Sequence, residues 1–133
     1  ELGYEVSIDF NGRVGEKPLH WEYNTQANRI ALRNAFAKFI NLKKNNTVLQ
    51  FTNIIYMLTG AVKYIKLVEG SKTVVVVGNF DVNNQTANID FGAAGTWYDA
   101  ANSNTVTNLG SATYNATLAP GEYHVFSNSI LSE

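Results

Sequence analysis

The chain has 133 residues and a formal net charge of −1; 45% of its residues are hydrophobic, 12% aromatic and 16% charged. This is too apolar and too weakly charged for a disordered tail, and it gives no electrostatic case for nucleic acid or an anionic membrane. The absence of cysteine excludes a disulfide scaffold, a cysteine zinc site and a thiol nucleophile, and no apolar run approaches the ~20 residues of a membrane-spanning helix. The opening residues, ELGYEVSIDF, include no initiator methionine, so the chain reads as part of a longer protein.

Residues 1–24 form an irregular stretch punctuated by Gly3, Gly12, Gly15 and Pro18, with Tyr4, Trp21 and Tyr23 interleaved. Asn11-Gly12 is a strong turn dipeptide, and a loop this long in a compact domain is usually functional or disordered. Its aromatics and turn residues fit an ordered loop. A helix is predicted to begin after Asn24–Asn28, with Asn24, Thr25 or Asn28 as the cap. It runs through Ile30–Lys44, with Lys43 and Lys44 in a last turn where the helix dipole favours cations. Leu32, Ala35, Phe36, Phe39, Ile40 and Leu42 span an arc of about 160°, wider than the ~100° stripe of a one-sided surface helix. The helix is therefore expected to pack on two neighbours. In isolation it is expected to dock on the following domain while leaving part of the arc uncovered, which would favour self-association.

Beyond Asn45–Asn46 the chain reads as strands and turns. Val62–Leu67 alternates with period two and ends at a Glu69-Gly70-Ser71 hairpin turn. Val74–Val77 is apolar throughout, as in a strand buried on both faces, and Gly78 is expected to bend the chain so that Phe80 returns to the core. Further strands are predicted at 87–91, 96–99, 105–109, 113–118 and 122–126, with Pro120-Gly121 turning the chain into the last. Strands at roughly ten-residue spacing without intervening helices predict an antiparallel Greek-key β-sandwich preceded by a loop and one α-helix.

Residues that could carry chemistry are few. His20 and Glu22 could form a base and its orienter, but an isolated His–Glu pair in a loop is far more often a surface contact. His124 reads as an outward residue of the last strand. No His/Asp/Glu spacing matches a zinc or calcium site, and no two carboxylates can be assigned as acid and base. Trp97-Tyr98 invites a sugar-stacking reading, because flat rings bind the apolar faces of pyranoses. Strand alternation favours instead one ring in the core and the other over an edge.

The order of motifs goes further. Glu1-Leu2-Gly3-Tyr4 comes first, followed by Gly12-Arg13-Val14-Gly15-Glu16-Lys17-Pro18-Leu19-His20-Trp21-Glu22-Tyr23 and by Asn28-Arg29 opening a helix. Leu42-Lys43-Lys44, Val74-Val75-Val76-Val77-Gly78-Asn79-Phe80, Gly95-Thr96-Trp97-Tyr98-Asp99 and Leu118-Ala119-Pro120-Gly121-Glu122-Tyr123 then follow in turn. Together these resemble the end of an α-amylase superfamily enzyme (glycoside hydrolase family 13).

The resemblance implies that residues 1–45 are the last βα loop and terminal helix of a (β/α)8 barrel, and residues 46–133 a C-terminal β-sandwich, domain C. The opening loop would rise on the substrate side of the barrel, presenting Arg13, Glu16, Lys17 and Trp21. The catalytic carboxylates of a retaining α-1,4-glucan hydrolase would all lie upstream, so no residue here inherits a catalytic role. Calcium ligands of the parent enzyme would also lie upstream, and no cofactor is expected within these residues. The partners implied are the upstream barrel and, through it, an α-glucan such as starch or maltooligosaccharide. The parent would be bacterial, and periplasmic, surface-bound or secreted. Two other readings stay open: a free-standing carbohydrate-binding sandwich using Trp97 and Tyr98, and a structural module without ligand. A binding sandwich has no need of the Arg…Lys-Pro-x-x-Trp loop before its first strand.

Overall fold

The computed structural model describes residues 2–50 and 53–133, so Glu1 of the opening turn lies outside the described residues. The chain divides into two compact units, Glu1–Asn41 and Leu42–Glu133. Helix α1 (Ala27–Asn45) runs across the division.

In the first unit the opening stretch is an ordered loop. Turns close it through Phe10 N–H to the Ser7 carbonyl (3.0 Å), Gly12 N–H to Asp9 (3.0 Å) and Gly15 N–H to Gly12 (3.1 Å). Asn11 and Gly12 both adopt left-handed backbone, with φ of 54° and 75°, a conformation that Asn and Gly tolerate best. Gly15 is fixed by space instead: a Cβ there would sit 1.8 Å from the Asn11 carbonyl oxygen.

A 3-10 turn, Trp21–Thr25, leads into α1. Thr25 does not cap the helix; its hydroxyl donates to the Glu22 carbonyl at 2.8 Å. Gln26 takes the helix-start position, its carbonyl accepting from Arg29 and Ile30 N–H, both at 3.0 Å. Along α1, Leu32, Phe36 and Ile40 are 41%, 49% and 51% exposed, while Phe39 is partly buried. These fall within the residues expected to stay uncovered.

The second unit is an antiparallel sandwich. Its strands are β1 (Ile54–Met57), β2 (Val62–Glu69), β3 (Lys72–Asn79), β4 (Gln85–Asp90), β5 (Gly95–Asp99), β6 (Thr105–Leu109), β7 (Thr113–Leu118) and β8 (Tyr123–Ser127). One sheet runs β1-β2-β3-β8-β5-β6 and the other pairs β4 with β7. The pairs β3·β8, β4·β7 and β5·β6 are nested one inside the next, a Greek-key arrangement that folds one long hairpin over itself.

Between the sheets lies a core that includes Val62, Val75, Val77, Ile89, Phe91, Trp97, Leu118 and Phe126. Burying this apolar surface is the main favourable term in the unit's stability. β3 is central, between β2 and β8, and its Val74, Val75 and Val77 are buried while Val76 is partly so. On the outer face, Val74 pairs with Leu67. A 3-10 turn, Thr47–Gln50, lies against β2 and β3 there and buries Val48.

Three features differ from the sequence reading. Phe80 does not return to the core: it is 73% exposed, with the Lys63 ammonium 5.2 Å from its ring centre. β1 is an unanticipated edge strand whose Ile54, Ile55 and Tyr56 are all exposed. Lys66, facing inward opposite Val75, is buried and bonded to Asp90 across the two sheets.

Candidate functional site

The motifs of the sandwich converge at one end of it, and each has a structural task. Asn79, at the end of β3, is buried; its amide donates to the carbonyls of Asn83 (2.8 Å), Leu118 (3.0 Å) and Ala119 (3.0 Å). Its side-chain oxygen accepts from Asp81 N–H at 2.9 Å. One side chain thus joins β3 to the following loop and to the end of β7.

The Pro120-Gly121 turn is closed by Glu122, whose carboxylate accepts from Ala119 N–H (2.6 Å). The Glu122 carbonyl in turn accepts from Asn79 N–H (2.9 Å). Asp99 is buried and accepts from Ala101 N–H and Val125 N–H, both at 3.1 Å. His124 lies between the two carboxylates, 2.7 Å from Asp99 and 3.1 Å from Glu122, and stacks on Phe126 at 5.1 Å. It is therefore not an outward residue: it shares the core side of β8 with Phe126, opposite Val77.

This Asp99–His124–Glu122 cluster has the residue types of acid–base machinery. Its acceptors are occupied by backbone N–H groups, which makes it a joint between β5, β8 and the turn.

The first unit holds an open concavity. A groove of about 230 Å³ is lined by Tyr4, Leu19, His20, Trp21, Tyr23 and Asn24, among others. Its aromatic wall is stacked and anchored. His20 lies parallel to Tyr23 at 4.7 Å, and the Arg29 guanidinium sits 3.7 Å from the Tyr23 ring centre. Tyr4 donates its hydroxyl to the Pro18 carbonyl at 2.9 Å. Arg29 also pairs with Glu5 at 2.9 Å and donates to the Leu2 carbonyl at 2.8 Å, fixing the start of the loop against α1.

Burial, reinforced by the Glu5 carboxylate, pushes the Tyr23 phenol up from its ordinary value. The hydrogen bond from His20 holds the Glu22 carboxyl below its usual value. His20 Nδ1 is engaged by Glu22, and its Nε2 is buried without a hydrogen-bond partner.

Of the loop residues expected on a substrate side, the structure brings only Trp21 into this groove, 75% exposed. Lys17 is spent on the loop itself, donating to the carbonyls of Phe10 and Gly12. Arg13 and Glu16 are exposed on the same loop and do not line the groove. Stacking at Trp97 is corrected: it is 1% exposed, packed edge-on against Phe91 at 4.8 Å, so neither face can meet a ligand. Tyr98 is partly buried beside it. Sequence reasoning treated Tyr4, His20 and Tyr23 as loop aromatics and a surface pair. Their spacing gave no sign that they stack together.

Among the described residues no group of three or more His, Asp or Glu is placed to hold a metal ion. Among the described residues no helix is long and apolar enough to cross a membrane.

The arrangement defined by these observations is a loop and helix followed by a nested antiparallel sandwich. No family model matches the chain, and no curated protein sequence does. Solved structures do. AmyP in complex with maltotriose matches with a TM-score of 0.68 and 13% identity, over 82% of this chain and 23% of that one. AmyP in complex with maltose gives 0.66 and 13%, over 80% and 22%. An Anoxybacillus α-amylase gives 0.62 and 12%, over 77% and 22%. The chain has a fold that these structures contain, and it spans less than a quarter of the length of each.

Proposed function

We propose that this chain is the non-catalytic C-terminal region of an α-amylase-type glycoside hydrolase that cleaves α-1,4-glucans with retention of configuration. Residues 1–45 would close a (β/α)8 barrel, and residues 46–133 would form the sandwich that supports it. The observation that carries this reading is the likeness of most of this chain to a small part of AmyP and of an α-amylase. The order of sequence motifs supports it independently. So does the use of the chain's carboxylates: Asp99 and Glu122 bind backbone N–H groups, Asp90 binds Lys66, and Glu22 binds His20.

A retaining hydrolase needs two free carboxyl groups about 5–5.5 Å apart across a sugar, which in this reading come from the upstream barrel. The test compares the full product of the encoding gene with the 133-residue chain on soluble starch. The full product is expected to release reducing ends and, by proton NMR, to give the α-anomer first. The chain alone is expected to release none. A full product without activity on starch or maltooligosaccharides would overturn the reading.

A further inference from the structure

We propose that β1 is the pairing edge of a two-fold dimer. A second copy of this chain adds its own β1 antiparallel and joins the two six-stranded sheets into one. The inference goes beyond the glycoside hydrolase reading and does not depend on it.

The order β1-β2-β3-β8-β5-β6 leaves β1 at one end of its sheet. Its register against β2 fixes which backbone groups are free. The Asn53 carbonyl accepts from Val68 N–H at 3.3 Å, and successive residues of an antiparallel strand bond alternately to one side and to the other. Ile55, opposite Lys66, and Met57, opposite Tyr64, therefore bond to β2. Ile54 and Tyr56 turn their N–H and C=O groups to the open side, where no strand pairs with them among the described residues.

Natural sheets commonly blunt such an edge with charged side chains or proline. Ile54-Ile55-Tyr56-Met57 carries neither, and its first three residues are 47%, 48% and 67% exposed. Apolar side chains stand on both faces of the strand: Ile54 and Tyr56 lie beside Leu67 and Ile65, Ile55 and Met57 beside Lys66 and Tyr64. The opposite edge, β6, is built differently, with Thr105, Thr107 and Asn108 along it.

The occupant follows from self-complementarity. One two-fold register opposes the outward-bonding residues of β1 without leaving the strand. It sets Ile54 against the partner's Tyr56, Tyr56 against the partner's Ile54, and Ile55 against the partner's Ile55 on the axis. Both Ile54–Tyr56 pairs then exchange their two backbone bonds, and each sets an aromatic ring beside a β-branched side chain, a favourable cross-strand combination. The lack of charge matters most here. A two-fold contact brings each group near its own copy, so a charged strand would repel itself, and β1 does not. Pairing consumes both β1 edges, so assembly closes at two copies, whereas β1 on a partner's β6 would leave free ends and grow into filaments. With only 4 residues in β1, the contact falls below the ~1,200 Å² of stable interfaces. The dimer is accordingly weak, with a dissociation constant on the order of 0.1 mM.

The chain contains no cysteine, so a single introduced one reports its own encounters. The test uses the Phe36→Glu chain, which keeps the exposed row of α1 out of the association. In a non-hydrogen-bonded antiparallel pair the Cα atoms lie about 4.5 Å apart, within reach of a disulfide. At ~0.1 mM chain under mild oxidation, Ile55→Cys is expected to link into a dimer roughly tenfold faster than Val106→Cys. Val106 is the control because it is 53% exposed on the other edge.

Tyr56→Pro removes one outward N–H and leaves the ladder to β2 intact. Added to Ile55→Cys, it is expected to bring linkage down to the control rate. Ile54→Lys, which changes a half-exposed side chain and no backbone bond, is expected to slow linkage as well. Amide-exchange protection at Val75 and Val77, inside the core, reports that each variant keeps its sandwich. Equal rates for Ile55→Cys and Val106→Cys would overturn the proposal. So would linkage indifferent to both added substitutions in a folded chain, or sedimentation of the Phe36→Glu chain running past a dimer. The starch assay is separate: a full gene product without hydrolysis leaves the pairing standing, and a failed linkage leaves the hydrolase standing.

Discussion

Asn79 illustrates how much one amide can hold. Three carbonyls from two segments accept from it, and a backbone N–H donates to it. Asn79→Ala leaves all four groups without their partner, which for buried polar groups costs roughly 1–3 kcal/mol. Asn79→Asp is expected to cost more, because it aims a carboxylate at three carbonyl oxygens. Denaturant midpoints at neutral pH test the order wild type, Ala, Asp; equal values for the two variants would show that the amide is not the joint.

Lys66 and Asp90 supply a pH dependence. The Lys66 hydrogen bond, aided by Gly92 N–H, holds the Asp90 carboxyl below its ordinary value near 3.8. A depressed carboxylate stabilises the folded state above its unfolded pKa, and this contribution is lost as pH falls through the folded value. The Asp90 side chain is 45% exposed, so solvent weakens the effect. The fall in melting temperature between pH 7 and pH 3 is expected to be smaller in Lys66→Met than in wild type. An identical fall in both would remove the pair from the acid response.

At the scale of elements, β3 separates two kinds of valine. Val75 lies in the core between the sheets, whereas Val76 faces outward and is partly exposed. Val75→Asp buries an unpaired charge and should cost several kcal/mol, toward the limit of what a marginally stable domain tolerates. Val76→Asp should cost clearly less. Urea unfolding of the two variants checks the difference, and equal costs would mean that both faces of β3 are sealed.

The strands that the sequence made legible were those where period-two alternation or a continuous apolar run met a turn: Val62–Leu67, the four valines and Thr113–Leu118. β1 was missed because Ile54-Ile55-Tyr56-Met57 shows no alternation, and an edge strand half open to solvent imposes none. The inward turn of Phe80 was misjudged because Asn79, next to it, takes the buried position that ends the strand. His124 was misplaced because its partner Asp99 sits on β5, and only the fold brings that carboxylate within 2.7 Å of the ring. The groove was hidden for the same reason, since Arg29 on α1 fixes the stack.

Helix α1 carries its own expectation. Leu32, Phe36 and Ile40 form one exposed row at four-residue spacing, as i, i+4 neighbours on a helix do. The chain is expected to self-associate at micromolar concentration, and Phe36→Glu to shift it toward monomer in sedimentation. A strictly monomeric wild type would show that the row is not adhesive in this chain.

For the whole molecule, the buried polar joints and the aromatic groove lie in different units. The sandwich spends its buried polar groups on joints between strands, and the first unit holds the groove lined by Tyr4, Trp21 and Tyr23. The two are expected to fail differently. Variants of the joints should lower the stability without touching the groove, while Trp21→Ala should leave the unfolding free energy within about 0.5 kcal/mol of wild type, as for other surface substitutions.

One further contact bears on how the sandwich could be reused. The Asn46 side chain donates to the Ser132 carbonyl at 2.8 Å and accepts from Ser132 N–H at 3.0 Å, across 86 residues of sequence. The same amide reaches back to the Leu42 carbonyl at 2.8 Å. Entry and exit of the unit are thus clasped together. Proteins with adjacent ends tolerate circular permutation and insertion into a host loop. Joining 132 to 46 through a short glycine linker and opening the chain at the exposed Gly110–Ser111 turn should return the same sandwich, with Trp97 still shielded from acrylamide. The clasp makes this unit a cassette that a host chain can accept at a single loop, entering and leaving at nearly the same point.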